Sequence, residues 1–202
     1  MFDYLKFLVY NIYCKGVFKM SKLTICLDPG HGGRDPGAVG QNGLFEKDVV
    51  LNIARQVTQI LDDEFNIILT RSDDRFLTIA QRPRIAIDQD ADMFISLHCN
   101  AVVNRVVHGL ETFFWSGNHQ GRRLASMVNV QLAIDTGWRD RGVKHTTVFG
   151  VLRRLPAFPA CLIEYNFISN PEFEQRFRDP KVLNLLARST ATGIRNYVRL
   201  YF

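Results

Sequence analysis

The chain has 202 residues, of which 47% are hydrophobic and 22% are charged, and only four are cysteines. This length and composition are those of a single globular domain with a full core, and they exclude a disulfide-dense scaffold. The formal net charge of +5 and the pI of about 9.2 favour an anionic partner such as nucleic acid, a membrane surface or an acidic polymer. The arginines are scattered and no nucleic-acid motif accompanies them, so a solvated basic surface is the simpler interpretation.

Residues 1–20 are predicted to be a leader of uncertain order, followed by one domain over residues 21–202. The apolar stretch Phe7–Tyr13 is interrupted by Asn11 and is shorter than the about 20 apolar residues that a bilayer-spanning helix needs. No small-residue cleavage site follows it, so the sequence predicts neither a transmembrane segment nor a secretory signal peptide.

Apolar runs with different periods predict strands that alternate with helices. The predicted strands are Leu23–Asp28, Phe65–Thr70, Asp92–His98, Gly109–Trp115 and Pro159–Glu164. The predicted helices are Glu46–Leu61, Ile79–Asp88, Arg122–Ile134 and Lys181–Val198. This alternation indicates an α/β fold, a single three-layer domain with a mostly parallel central sheet flanked by helices.

Two histidines and a glutamate lie where the predicted elements meet. His31 follows the first strand in a loop rich in Pro and Gly, His98 ends the third strand, and Glu46 begins the first helix. Neutral imidazole is the commonest zinc ligand in proteins, and two imidazoles with one carboxylate match a catalytic zinc site that leaves a fourth position to water. The alternative for Glu46 is a carboxylate that only complements the positive end of its helix.

Glu164 is a third polar residue at the end of an apolar run, Ala160–Ile163. In open α/β sheets, ligands gather beyond the carboxyl ends of parallel strands. A carboxylate at the end of a buried strand is costly unless it has a partner or a task, so the alternative is an ion pair with an arginine.

The remaining cysteines, histidines and tryptophans have simpler interpretations than a role in the site. Cys99 directly follows His98, so in a strand its side chain points to the opposite face and is not expected to bind the same metal. We expect reduced, buried thiols, because the cysteines lack a Cys-x-x-Cys spacing; they are Cys14, Cys26, Cys99 and Cys161. Surface or hydrogen-bonding roles are expected for His108, His119 and His145, and packing rather than sugar stacking for Trp115 and Trp138.

Four segments, in this order, carry a resemblance to a known family: Asp28–Gly33, Glu46–Asp48, Ser96–Ala101 and Glu164–Asn170. They are similar to the motifs of the zinc-dependent N-acetylmuramoyl-L-alanine amidases of the Amidase_3 class, over about Leu23 to Val198. The resemblance implies one zinc ion held by His31, Glu46 and His98, with Glu164 as the catalytic acid/base. It leaves the substrate-binding residues unknown.

The same resemblance implies a peptidoglycan hydrolase that cuts the amide between N-acetylmuramic acid and L-alanine of the stem peptide. Such an enzyme acts at the bacterial cell wall, periplasmic or extracellular, as an autolysin, a sporulation enzyme or a phage endolysin, and we expect a monomer that binds no nucleic acid. The alternatives are a zinc peptidase or deacylase acting on another amide, and a wall-binding module without activity. The chain departs from the family pattern at Tyr165–Asn166, which predicts bulk next to Glu164, and at Ala86–Ile87.

Overall fold

The computed structural model describes residues 22–155 and 158–202. The predicted leader at residues 1–20, with its apolar stretch and Cys14, lies outside the described residues. Six strands and six helices follow one another within the described part of the chain. The strands are β1 (Thr24–Pro29), β2 (Asn66–Leu69), β3 (Met93–Asn100), β4 (Leu110–Trp115), β5 (Asp140–Thr146) and β6 (Ala160–Phe167). The helices are α1 (Glu46–Leu61), α2 (Gln81–Asp88), α3 (His119–Thr136), α4 (Gly150–Arg153), α5 (Pro171–Arg176) and α6 (Pro180–Tyr201).

The six strands form one sheet in the order β2-β1-β3-β6-β4-β5. Strands β2, β1, β3 and β6 are parallel, whereas β4 runs antiparallel to β6 and parallel to β5. The prediction of a mostly parallel sheet is therefore confirmed. Strand β5 was not predicted, because its sequence Asp-Arg-Gly-Val-Lys-His-Thr is largely polar and lies at the sheet edge, where no apolar run is needed.

Helices cover both faces of the sheet, which gives the predicted three layers. Helices α1, α3 and α6 pack on one face, against alternate strand residues such as Leu27, Ile95 and Ile163. Helices α2 and α4 lie on the other face, against residues such as Phe94 and Leu162. The polar ends of the strands on this second face are the ones that form the candidate site.

Helix bounds differ from the predicted ones where local chemistry extends or delays a helix. Helix α3 begins at His119 because the side chain of Asn118 accepts the backbone N–H of Gly121. It ends where Gly137 adopts a left-handed conformation, with φ of 63°. Helix α2 begins at Gln81 rather than Ile79, so Pro83 falls in its first turn, where proline is tolerated.

The loop between β1 and α1, residues 30–45, is held in place by isolated backbone bridges and by two buried side chains. Arg71 donates to the carbonyls of Pro29 and Gly30, and Glu174 accepts the backbone N–H groups of Asn42 and Leu44. The sequence predicts only a long functional or disordered loop here. Across the described ranges, none of the helices combines the length and the apolar character needed to cross a membrane.

Candidate metal centre

The predicted site residues meet beyond the carboxyl ends of β1, β3 and β6. His31 follows β1, while His98 and Glu164 lie opposite each other in the register of β3 and β6. All three line one open cavity of about 740 Å³, together with Glu46 from the start of α1. This is the position at which α/β sheets bind ligands, so the prediction that these residues converge agrees with the structure.

One oxygen of Glu46 lies between the two histidines. Oε1 of Glu46 is 3.2 Å from Nε2 of His31 and 3.0 Å from Nδ1 of His98. One ligand atom from each of the three residues lies within 4.8 Å of the others, a spacing that a single ion can bridge.

Hydrogen bonds behind the two rings determine which nitrogen faces the site. Nδ1 of His31 lies 3.0 Å from the Asp35 carboxylate, which can accept the N–H of this nitrogen when Nε2, on the Glu46 side of the ring, binds a metal. Nε2 of His98 lies 3.1 Å from Oγ of Ser96, and this hydroxyl donates its own proton to Asp28 at 2.7 Å. A neutral His98 that donates from Nε2 to this hydroxyl would have its Nδ1, 3.0 Å from Oε1 of Glu46, free to bind a metal.

The Glu46 carboxylate is committed to the site rather than to its helix. It accepts backbone N–H groups from Ala38 and Cys99, at 2.8 and 2.9 Å. Burial alone would raise the pKa of Glu46, but the contacts with His31 and His98 hold it well below its usual range. The helix-end interpretation accounts for its position as the first residue of α1 but not for this set of contacts.

The backbone packs closely around the two imidazole rings. His31 adopts a φ of 62°, a left-handed conformation that is unusual for a residue with a side chain, and Arg82 donates to its carbonyl at 2.7 Å. A Cβ on Gly30 would overlap the ring of His98, and one on Gly37 would lie 2.6 Å from Cδ2 of His31. Glycine at these two positions lets both rings approach Glu46.

These observations fit a zinc ion. Zinc takes nitrogen and carboxylate ligands, and a histidine that binds metal almost always donates its other ring N–H to a carboxylate or a similar acceptor. Both rings have such a partner, Asp35 for His31 and the Ser96 hydroxyl for His98, and the other nitrogen of each ring lies within 4.8 Å of the Glu46 carboxylate.

Glu164 faces the cavity without a counter-ion. The residue is 8% exposed, and among the described residues no hydrogen-bond partner reaches its Oε2. Burial raises the pKa of Glu164 well above its usual range, and the charges of Glu46 and Glu111 raise it further. From the sequence, an ion pair with an arginine was the alternative role of Glu164. No such pair is present in the described part of the chain, so this carboxyl is available to accept or donate a proton.

Glu111 on β4 pairs with Glu164 across the antiparallel strands and is neutralised by its own partners. Its carboxylate accepts from Arg141 at 2.9 Å, from Lys144, and from the side-chain amide of Asn100 at 2.7 Å. Sequence reasoning did not assign Glu111 a role, nor did it find Asp35 and Ser96, which hold the rings. Of these contacts, only the one between Ser96 and His98 could have been expected from sequence, because residues two apart in a strand share a face.

Cys99 is among the residues that line the cavity, whereas the other described residues considered from sequence lie outside it. Cys26, Cys99 and Cys161 are free and buried, and burial raises the pKa of each thiol. Trp138 packs edge-on against Phe173, as expected of a core aromatic. His108 also stacks on Phe173, with the two ring centroids 5.7 Å apart. His119 and His145 are exposed.

Residues 25–196 match the Amidase_3 family, which is described as N-acetylmuramoyl-L-alanine amidase. The chain belongs to this family. The resemblance found in the four sequence motifs is therefore confirmed, and so is the assignment of the chain to this class of enzyme.

The chain is also similar to individual members of the family and to related proteins. It is 38% identical to the uncharacterized protein YqiI of Bacillus subtilis strain 168, over 86% of this chain and 84% of that protein. It is 36% identical to the amidase LytC of the same strain over 87% of this chain, a region that makes up 36% of LytC. Among solved structures, the amidase AmiC2 of Nostoc punctiforme superposes with a TM-score of 0.82 at 35% identity, covering 89% of this chain and 98% of that one.

The departures from the Amidase_3 pattern do not crowd the site. Tyr165 is fully buried in the core on the other face of the sheet, where its hydroxyl lies 2.9 Å from that of Thr190. The expectation that it puts bulk next to Glu164 is wrong, because adjacent strand residues point to opposite faces. Asn166 shares the face of Glu164, and its carbonyl oxygen accepts the N–H of Gly109 at 2.8 Å.

Proposed function

We propose that this amidase is a zinc-dependent peptidoglycan hydrolase that cleaves the bond between N-acetylmuramic acid and the L-alanine of the stem peptide. The observation that carries the proposal is the convergence of His31, Glu46 and His98 on one point, with the unpaired carboxyl of Glu164 in the same cavity. A structural zinc site would close its fourth position with a further protein ligand, whereas the donor set found among the described residues has three members.

The chain's own residues supply binding and proton transfer. His31, Glu46 and His98 would hold the ion, which when bound lowers the pKa of water to about 7 and polarises a carbonyl oxygen. Glu164 takes the proton of the attacking water and delivers it to the nitrogen of L-alanine, so that an amine leaves rather than an amide anion. Its raised pKa suits this exchange, because it makes the carboxylate a stronger base toward the attacking water and leaves the protonated carboxyl able to donate to the departing nitrogen.

The cavity has the shape and lining that a polymeric substrate needs. It is open to solvent, and one side is an apolar wall formed by Phe76, Leu77, Ile79, Phe149 and Val151. Such a wall suits the methyl groups of the lactyl and N-acetyl substituents, while the net charge of +5 suits an anionic wall polymer. We place the site of action at the bacterial cell wall, periplasmic or extracellular, as for an autolysin or an endolysin.

The test is mass spectrometry of the soluble products after zinc-loaded protein is incubated with defined peptidoglycan. We expect free stem peptides that begin with L-alanine, together with intact glycan strands, and no release by Glu164→Gln. Cleavage within the stem peptide would instead identify a zinc peptidase. Binding to peptidoglycan without any release would identify a wall-binding module.

A further inference from the structure

A second depression adjoins the catalytic cavity and differs from it in charge. It has a volume of about 590 Å³ and lies between the loop at residues 39–41, the loop that follows β3, and Ser169. Ala101 lines both the cavity and this depression, so the two form one continuous groove. A linear substrate held at the zinc ligands would extend along that groove.

The depression has a defined shape because Ser169 ties its walls together. Its Oγ accepts the backbone N–H of Val102 at 3.1 Å, and its carbonyl accepts the side chain of Gln41 at 3.2 Å. Val103 stands 98% exposed on one wall and Val39 is 48% exposed on the other. Apolar side chains held open to solvent beside a catalytic cavity are typical of a ligand-binding surface.

Arg105 is the charged residue of this lining. It is exposed, and no ion pair or hydrogen bond joins its guanidinium to the residues that the structure describes. On the cavity side of the groove, by contrast, Arg82 is committed to Asp28 at 2.9 Å. Of the two arginines that line the cavity and the depression, only Arg105 is therefore left without a partner in the described part of the chain.

This asymmetry matches the asymmetry of the substrate in the proposed function, on which the inference rests. On one side of the scissile amide the glycan consists of neutral N-acetyl sugars. On the other side the stem peptide carries free carboxylates, and guanidinium binds carboxylates in a bidentate geometry.

We infer that the depression between residues 39–41 and 101–105 is the stem-peptide subsite, in which Arg105 binds a peptide carboxylate. Val39 and Val103 then contact the small alkyl side chains of the peptide. The apolar wall at Phe76–Ile79 is left to the muramoyl group. Arg105 thereby determines whether stem peptides with a free or an amidated carboxylate are preferred.

The experiment compares two soluble muramoyl dipeptides, one ending in D-glutamate with its α-carboxylate free and one in which that carboxylate is amidated. For the full chain loaded with zinc, we expect the free form to have a KM about three- to tenfold lower. Arg105→Gln should remove this difference by raising the KM of the free form, and Arg105→Lys should retain part of it because the charge remains without the bidentate geometry. Arg199→Gln, the same charge change at an exposed site in the last turn of α6, should leave the preference intact.

Binding of the free dipeptides L-alanyl-D-glutamate and its amide, measured by calorimetry on Glu164→Gln, separates this inference from the proposed function. Preference for the free carboxylate that disappears in the double variant with Arg105→Gln supports the subsite, even if the wild-type chain cleaves neither substrate. Equal binding and equal KM for the two forms, or a preference that survives Arg105→Gln, would overturn it.

Discussion

His98 and Glu164 lie directly opposite each other on the adjacent parallel strands β3 and β6. Because the side-chain period of a strand is two, this register puts an imidazole and a carboxyl on the same face, at the same end of the sheet. A slip of one residue in either strand would turn one of them into the opposite core. The juxtaposition of the proposed metal ligand and the proposed proton carrier is thus a property of strand pairing.

Glu164→Gln tests the proton transfer separately from metal binding. The amide is isosteric but cannot accept and return a proton, so we expect kcat to fall by about 10²–10⁴-fold. Glu164 holds no position in the donor set, so the zinc affinity should be unchanged. Kinetics on defined peptidoglycan and zinc titration measure the two effects, and full turnover by this variant would contradict the assigned role.

Removal of zinc by a chelator should lower the thermal stability as well as abolish activity. An ion that binds only the folded chain stabilises it by about 4 kcal/mol when its free concentration is 1,000 times its dissociation constant. We expect the melting temperature to fall on chelation and to recover on addition of zinc. His98→Ala serves as the comparison, because a chain without this ligand should show little response. If chelation lowered the melting temperatures of the wild-type chain and of His98→Ala equally, the ion would bind at another site.

Asp35→Ala should weaken zinc binding although Asp35 is not itself a ligand. Its carboxylate lies 3.0 Å from Nδ1 of His31 and can accept the N–H of that nitrogen when Nε2 binds zinc, and loss of such a partner typically costs about 10–100-fold in metal affinity. Asp35→Asn should retain most of the affinity, because its amide oxygen still accepts the same proton. The exposed Asp63→Ala provides a matched control. Competition titration with a zinc chelator of known affinity measures all three, and wild-type affinity in Asp35→Ala would refute the assignment.

The sequence was sufficient to single out His31, Glu46, His98 and Glu164, which line one cavity, because each lies in or near the end of an element with a strong apolar period. It was not sufficient for the groups that orient them. The contact of Asp35 with His31 depends on a left-handed φ in an irregular loop, which no periodicity reports. Strand β5 also escaped prediction, because an edge strand can be polar and still complete its hydrogen bonds.

The position of Glu111 also could not be predicted from the local sequence. Its segment, Gly109–Thr112, reads as a strand whether β4 runs parallel or antiparallel to β6. Only the antiparallel pairing puts Glu111 opposite Glu164 and brings Arg141 from β5 to its carboxylate. Strand order and direction are tertiary properties, so the charges that surround Glu164 could not be derived from local patterns.

Glu174→Gln should destabilise the chain in a pH-dependent way. Burial alone would raise the pKa of Glu174, but the N–H groups of Asn42 and Leu44 and the guanidinium of Arg178 hold it below its usual range. A carboxyl whose pKa is lowered by folding contributes stability that is complete above its unfolded pKa and is lost as the pH falls through the folded value. At pH 7 we expect the substitution to cost about 1.5–3 kcal/mol, the contribution of hydrogen bonds to a charged group.

The measurement is chemical denaturation of both proteins in chelator, from pH 7 downward, so that acid release of metal does not enter the comparison. The two free energies of unfolding should converge as the pH falls, because protonated Glu174 resembles glutamine. Glu172→Gln is the matched control, because Glu172 lies on the same helix and is exposed. Within the described ranges its one ion pair is with Arg176 one turn away, so its cost should stay below about 1 kcal/mol. A gap for Glu174→Gln that stayed constant to the lowest pH at which both proteins fold would show that shape, and not charge, holds the loop that leads into Glu46.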